Sequence, residues 1–392
     1  MVKKNYFIII FFLFLITGCK KESSAPVTPL LDITSTPAIK EHSTLPMATS
    51  TAKAELYTPA PSATPEKVIE KDPSLFPVVI NNAWGYMDKT GNIIIKPKFQ
   101  SAGCFSEGLA HVRYKGKYGF IDKKGNFVIQ PQFQEVYEFS EGLAVVEFME
   151  PGKILDKDED IREVKITYGY IDKKGKFAIE PVFNGDSLFE IPSFSEGLCY
   201  VDSNGKTGFI DKKGKFVIQP EFGSAENFSE GLSCVKSGGK YGFIDKKGKF
   251  VIQPKFDSAG DFSEGLAFVK SGGKYGFIDK KGKFVIQPQF EEVWDFSEGL
   301  VPVKIEGKWG YIDNSGNFII KPQFQDVRLF KEELAAVKPD GSKWGFIDKT
   351  GNMIIPPEFD CAGYFSEGLA SVQDGGKMLY IDKSGKIIWQ KK

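Results

Sequence analysis

Histidine is nearly missing: the chain of 392 residues holds only His42 and His111. A Ser-His-acid triad or a histidine metal site therefore has almost nothing to be built from. The patterns G-x-S-x-G, H-E-x-x-H and G-x-x-x-x-G-K-S/T do not occur either. Net charge is missing too. Lys plus Arg and Asp plus Glu both number 51, so no global field attracts nucleic acid. Cysteine is scarce, at five residues. Cys104, Cys199, Cys234 and Cys361 stand where sister segments carry other residues, which is no disulfide framework. Cys199 and Cys234 lie one residue out of register and should face opposite sides of their strands. No apolar run approaches the roughly 20 residues that a membrane span needs. Aromatics and glycine are abundant instead, with 35 Phe and 41 Gly. That pairing suits many short strands joined by tight turns.

The first residues carry an address. Lys3 and Lys4 precede a wholly apolar stretch from Tyr6 to Ile16, followed by Thr17-Gly18-Cys19. A charged start, a short apolar run and a small-residue exit describe a signal peptide over 1–18. The ending Ile16-Thr17-Gly18-Cys19 resembles the lipobox of bacterial lipoproteins, which implies cleavage before Cys19 and acylation of that residue. Residues 19–75 then read as the lipidated Cys and a disordered tether rich in Ser, Thr, Pro and Ala, with too little apolar surface to offset its chain entropy. The expected location is the cell membrane or outer membrane, on the extracytoplasmic side.

From residue 76 to 392 the chain is periodic. An aromatic-Gly-aromatic step recurs at Trp84-Gly85-Tyr86, Tyr118-Gly119-Phe120, Tyr168-Gly169-Tyr170, Tyr241-Gly242-Phe243, Tyr275-Gly276-Phe277, Trp309-Gly310-Tyr311 and Trp344-Gly345-Phe346. Thr207-Gly208-Phe209 and Met378-Leu379-Tyr380 are variants of it. The glycines are mostly 34 or 35 residues apart, stretched to 50 before Gly169 and 39 before Gly208. Those stretches read as loop insertions. In the fifth copy Tyr241-Gly-Phe-Ile-Asp245 is followed by Lys-Lys-Gly248, Phe250-Val-Ile-Gln-Pro254-Lys-Phe256 and Phe262-Ser-Glu-Gly-Leu266-Ala-Phe-Val269. This unit resembles the WG (KWG) repeat of bacterial proteins, which implies a β-rich repeat module without a set activity.

Each unit predicts a three-stranded meander. Asp245 is placed to cap a turn with Gly248 at φ > 0, and Pro254 closes a strand because it has no N–H to give to a ladder. Apolar residues on both faces, as in Leu266 against Ala267 and Val269, require small sheets stacked face to face. The fold class is thus all-β, made of about nine tandem antiparallel meanders of about 34 residues, the last truncated. Either a propeller-like ring or an open superhelical solenoid would serve.

Repeated carboxylates at Glu107, Glu141, Glu196, Glu230, Glu264, Glu298 and Glu367 read as turn caps or salt links to the Lys-rich hairpin tips, since equal environments do not split a catalytic pair. Asp156-Lys-Asp158-Glu-Asp160 starts like a calcium loop but has Ile161 and Thr167 where Gly and Glu are needed. The aromatics from Trp84 to Trp344 read as core rather than as a sugar platform. No catalytic, cofactor or metal residue is assigned, and no nucleic-acid partner is expected. The expected role is a membrane-anchored binding or scaffold module for a protein or glycan. The alternatives are an envelope hydrolase with a carboxylate pair between Gly169 and Gly208, or a structural spacer.

Overall fold

The computed structural model describes residues 74–156, 161–185 and 192–391. Among them are nine antiparallel sheets in chain order, packed face to face as the blades of a β-propeller. Blade 6 shows the plan: a short strand Ser258–Ala259, a leading strand Leu266–Ser271, a middle strand Lys274–Asp279 and an edge strand Phe284–Phe290. The meander is therefore four-stranded in seven blades, because the connector that precedes the leading strand itself pairs with it, for two residues in six of them and along Cys361–Ser366 in blade 9. Blades 1 and 4 have three strands. Pro254 and its sisters do not end their strands. They lie inside edge strands that run on to the following Phe, as in Phe250–Phe256, next to a register shift where a missing N–H removes nothing from the ladder.

Two faces are buried, as the pattern required: Leu266 packs into the core shared with blade 7 and Ala267 and Val269 into that shared with blade 5. The edge strands differ. Ile94, Val128, Val217, Val251, Val285, Ile319 and Ile354 are exposed, since blade faces diverge toward the edge strand and leave one side of it in water. The stretch before Gly169 is not a loop but a lengthened hairpin, with strands Leu143–Asp156 and Ile161–Asp172 paired throughout. The calcium-like segment falls at its tip, and residues 157–160 lie outside the described residues.

Neighbouring blades meet through one repeated set of contacts. The second aromatic of each step stacks edge-on with the Phe that opens the next blade, as in Phe243–Phe262 at 4.9 Å and Tyr311–Phe330 at 4.9 Å between ring centroids. Where that aromatic is Tyr, its hydroxyl donates to a carbonyl of the next blade, as Tyr311 does to Arg328 at 2.7 Å. The same set joins the last blade to the first. Tyr380 lies 5.7 Å from Phe76 and donates to the Pro77 carbonyl at 3.0 Å. Phe76, Val78, Met87, Leu369 and Tyr380 form one buried cluster. The array is a closed ring of nine blades, and the open solenoid is excluded. The seal needs no exchanged strand, because the leading strand Phe76–Ile80 gives blade 1 the face that the other blades offer. Leu75 already lies in the core.

Candidate functional site

The junction latches come first, because they absorb most of the repeated charge. Ser263 and Leu266 form a two-residue hairpin bridge in which Glu264 and Gly265 both take positive φ, 53° and 85°. A left-handed Glu costs roughly 1–2 kcal/mol. The cost is offset across the junction: the Glu264 carboxylate accepts from Gly299 N at 2.9 Å, and Ser263 Oγ donates to the Phe296 carbonyl at 2.9 Å. Glu107, Glu141, Glu196 and Glu230 bind the next turn in the same way and also pair with Lys173, Lys212, Lys246 and Lys280 at 3.0 to 3.1 Å. Partial burial opposes ionisation of Glu298, but N–H donation from Glu333 and Glu332 and the Lys349 ammonium hold its carboxyl below the usual range. Six of the seven repeated Glu, all but Glu367, thus cap a turn of the next blade, as their repetition implied. The hairpin Asp is a cap as well: the backbone N–H of Asn317 above all holds Asp313 low.

The aromatic ladder is more mixed than a core reading allows. Trp84, Tyr168, Trp309 and Trp344 are buried, while Tyr118, Tyr241 and Tyr275 are half-buried. A cation from the paired leading strand covers the ring in blades 2 and 5 to 8: Arg113 over Tyr118, Lys236 over Tyr241, Lys270 over Tyr275, Lys304 over Trp309 and Lys338 over Trp344, at 5.0 to 5.8 Å. Such contacts contribute roughly 0.5–1 kcal/mol near the surface and occupy one side of each of these five rings. Blades 3 and 4 break the rule. Glu147 stands opposite Tyr168 and Asp202 opposite Thr207, whose hydroxyl donates to Asp202 at 2.6 Å. Thr207, an unexplained exception in the sequence, is thus the partner that an acid at this register accepts.

Glu147 also faces Glu135 across the short strand of blade 3. Burial raises the pKa of both carboxyls, and Tyr137 hydrogen-bonds Glu147. This is the desolvated carboxylate pair that would suit acid–base work, but it lies before Gly169 and not between Gly169 and Gly208. Residues 186–191 of that interval are outside the described residues. Among the described residues no group of three or more His, Cys, Asp or Glu side chains is placed to hold a metal ion.

The cysteines follow the register reading. Cys199 is buried against blade 3, its Sγ 3.1 Å from Tyr170 Oη, while Cys234 is buried against blade 6. Among the described residues the four Cys of the ring form no disulfide, and Cys104 is exposed. Cys19 lies outside the described residues.

The WG containing repeat matches residues 84–118, 118–148, 168–206, 208–241, 241–275, 275–309, 309–342 and 344–377. The chain belongs to the WG repeat family. Among solved structures, the WG ring is similar to a eukaryotic initiation factor at 12% identity and TM-score 0.60, over 82% of this chain and 96% of that one. That likeness shows the fold alone. BamB from Moraxella catarrhalis matches at 11% identity over 81% of this chain and 94% of that one, with a TM-score of 0.38. No curated protein matches the WG chain.

Inside the WG ring the side chains that face each other on the short and leading strands trade volume. His111 and Phe268 sit over Gly103 and Gly260, where a Cβ would come within 2.1 Å of either ring. Pro302 and Ala336 instead face Trp294 and Arg328. His111 Nδ1 has no partner, and burial pushes the imidazole down to about 4. A His lowered in the folded state is neutral there, so its contribution is complete above about pH 6.5 and is lost as pH falls toward 4. His111→Phe, which copies Phe268, should flatten the melting temperature over that window relative to the parent, by an amount equivalent to at most ~3 kcal/mol. An unchanged pH profile in the variant would refute this role.

Proposed function

We propose that the protein is a membrane-anchored, extracytoplasmic binding module, held by acylated Cys19 and a tether over 19–75, that presents the propeller to a protein of the cell envelope. The observation that carries the reading is the closed ring itself. Its repeated charges are spent on latching blades together, so departures from the repeat, such as those in blades 3 to 5, are what a partner could read. A propeller of this repeat type is typical of binding and scaffold modules. Among the described residues no helix is long and apolar enough to cross a membrane, and two or three acyl chains supply enough buried CH₂, at about 0.8 kcal/mol each, to hold a soluble domain at a bilayer. A protein is favoured over a glycan because the ladder rings of blades 2 and 5 to 8 already hold a cation of the chain itself.

Cys19→Ser should move the protein from the detergent phase to the aqueous phase or block its processing. Unchanged partitioning would sink the anchor. The wild-type chain, used as bait in envelope extracts, should retain a specific protein, and retention of none would overturn the binding role. A second reading, acid–base chemistry at Glu135 and Glu147, is motivated by their raised pKa values. It predicts hydrolysis of an envelope substrate that Glu147→Gln abolishes.

A further inference from the structure

The junction between blades 4 and 5 lacks a part that five of its sisters possess. At five other junctions the residue after the buried Phe that ends an edge strand sends an oxygen to the hairpin of the next blade, to a lysine on the hairpin of its own blade, or to both. Gln100 accepts from Gly116 N at 2.7 Å and Gln134 from Met149 N at 2.8 Å. Glu291 accepts from Gly307 N at 3.0 Å and lies 3.8 Å from Lys274 Nζ. Asp360 accepts from Gly375 N at 2.7 Å and from Lys343 Nζ at 2.6 Å, and Asp257 pairs with Lys240. Between blades 4 and 5 that residue is Gly223.

What remains is a cavity of about 430 Å³ lined by Lys206, Glu221, Gly223, Lys236, Gly238 and Gly239. Lys206 stands at the position of Lys240, Lys274 and Lys343, each of which meets a carboxylate. Gly239 and Gly238 stand at the positions of Gly307 and Gly375, whose N–H groups donate to one. Both glycines have positive φ, 58° at Gly238 and 81° at Gly239, which makes a tight turn like those of the sister hairpins. The donors of the latch are thus in place without its acceptor.

Backbone geometry does not require the glycine. Gly223 N donates to the Lys236 carbonyl at 2.8 Å, as Asp257 N does to Lys270 at 3.0 Å and Glu291 N to Lys304 at 2.9 Å. A Cβ on Gly223 would meet only the Lys236 carbonyl, at 3.5 Å. Two ammonium groups against one exposed carboxylate, Glu221, leave the cavity net positive.

We propose that this junction binds a carboxylate side chain, Glu or Asp, on an extended segment of a partner protein, which takes the place that Asp257, Glu291 and Asp360 fill at their own junctions. The inference rests on the reading of the ring as a binding module and gives that module a recognition chemistry. Charge-assisted bonds from Lys206 and two backbone N–H groups would favour a carboxylate over an amide.

The test titrates the full chain with the capped tripeptide Ala-Glu-Ala while following the ¹⁵N amide signals of Gly238 and Gly239. Saturable shifts are expected, weakened roughly tenfold for Ala-Gln-Ala, lost in Gly223→Glu and Lys206→Gln, and kept in Gly223→Ala. Gly223→Glu supplies its own acceptor and should melt no lower than the parent; if it fails to fold, exposed Lys206→Gln carries the comparison. Absence of saturable shifts, equal binding of the Gln peptide, or binding of glucuronate without the Glu peptide would overturn the site. Envelope retention that survives Gly223→Glu unchanged would also remove this site while leaving the binding module. Failure of the wild-type bait to retain any protein would remove the module itself.

Discussion

Truncation after Asp360, which removes blade 9, is expected to abolish the folded state of the whole ring rather than trim it by one unit. The missing blade leaves two apolar faces open at once. On blade 8 these are Ala336, Trp344, Phe346, Ile355 and Phe359, and on blade 1 Phe76, Val78 and Met87. An open solenoid would lose only one nearest-neighbour interface and keep the rest. The stability of a domain is a small difference between large terms, about 5–15 kcal/mol, so two uncovered faces exceed it. The truncated protein should be insoluble or bind a hydrophobic dye without a cooperative melt. A cooperative transition within a few degrees of the parent would show that the seam at Tyr380 and Pro77 carries little. A milder probe is Phe76→Ala, which should lower one single transition by an equivalent of about 3 kcal/mol without splitting it into steps.

The second large effect belongs to the glycine of the aromatic-Gly step. Gly242 is not there for a left-handed turn. The edge strand of its blade crosses so closely that a Cβ would lie 2.6 Å from the Ile252 carbonyl oxygen and 2.7 Å from Pro254 N, both backbone atoms that cannot step aside. Gly242→Ala should therefore cost about 3 kcal/mol by forcing the bulge open. Gly239→Asn is the control: its site has φ 81° and open space around a Cβ, and Asn tolerates that conformation, so the change should stay within roughly 1 kcal/mol. Denaturant melts of the two variants check the contrast, and equal losses would refute it. Leu379 supports the same account. In blade 9 it pairs directly with Gln390, with no register shift between Leu379 and Tyr380, and the short edge strand Ile387–Gln390 carries no proline.

Several parts of the candidate site could be read from residues alone. The recurring Glu of Phe-Ser-Glu-Gly-Leu was legible as a latch because a carboxylate repeated in equal surroundings beside Lys-rich tips has a mechanical use before a chemical one. The opposite facing of Cys199 and Cys234 followed from a shift of one residue in a strand of period two. The gap at Gly223 was also present in the sequence, as the Gly after Phe222 where sister repeats carry Gln, Asn, Asp or Glu. Its meaning was not, because the partners of that position are the hairpin of its own blade and the turn of the next, and only the packed junction brings them together.

Strand identity, the period and the need to cover both faces of each blade were determined by the sequence itself, since they depend on local turn chemistry and on where apolar residues recur. Closure was decided by tertiary structure. Whether nine blades form a ring or an arc depends on the small rotation between successive sheets, summed over the whole array, and no single repeat encodes that sum. The three-stranded unit became four-stranded for the same reason: Ser258 and Ala259 become a strand only where the leading strand Leu266–Ser271 lies beside them. The long hairpin before Gly169, read as a loop insertion, likewise formed because each of its strands had the other to pair with. Local chemistry decided what each segment is, and the neighbours it met in the ring decided what it touches.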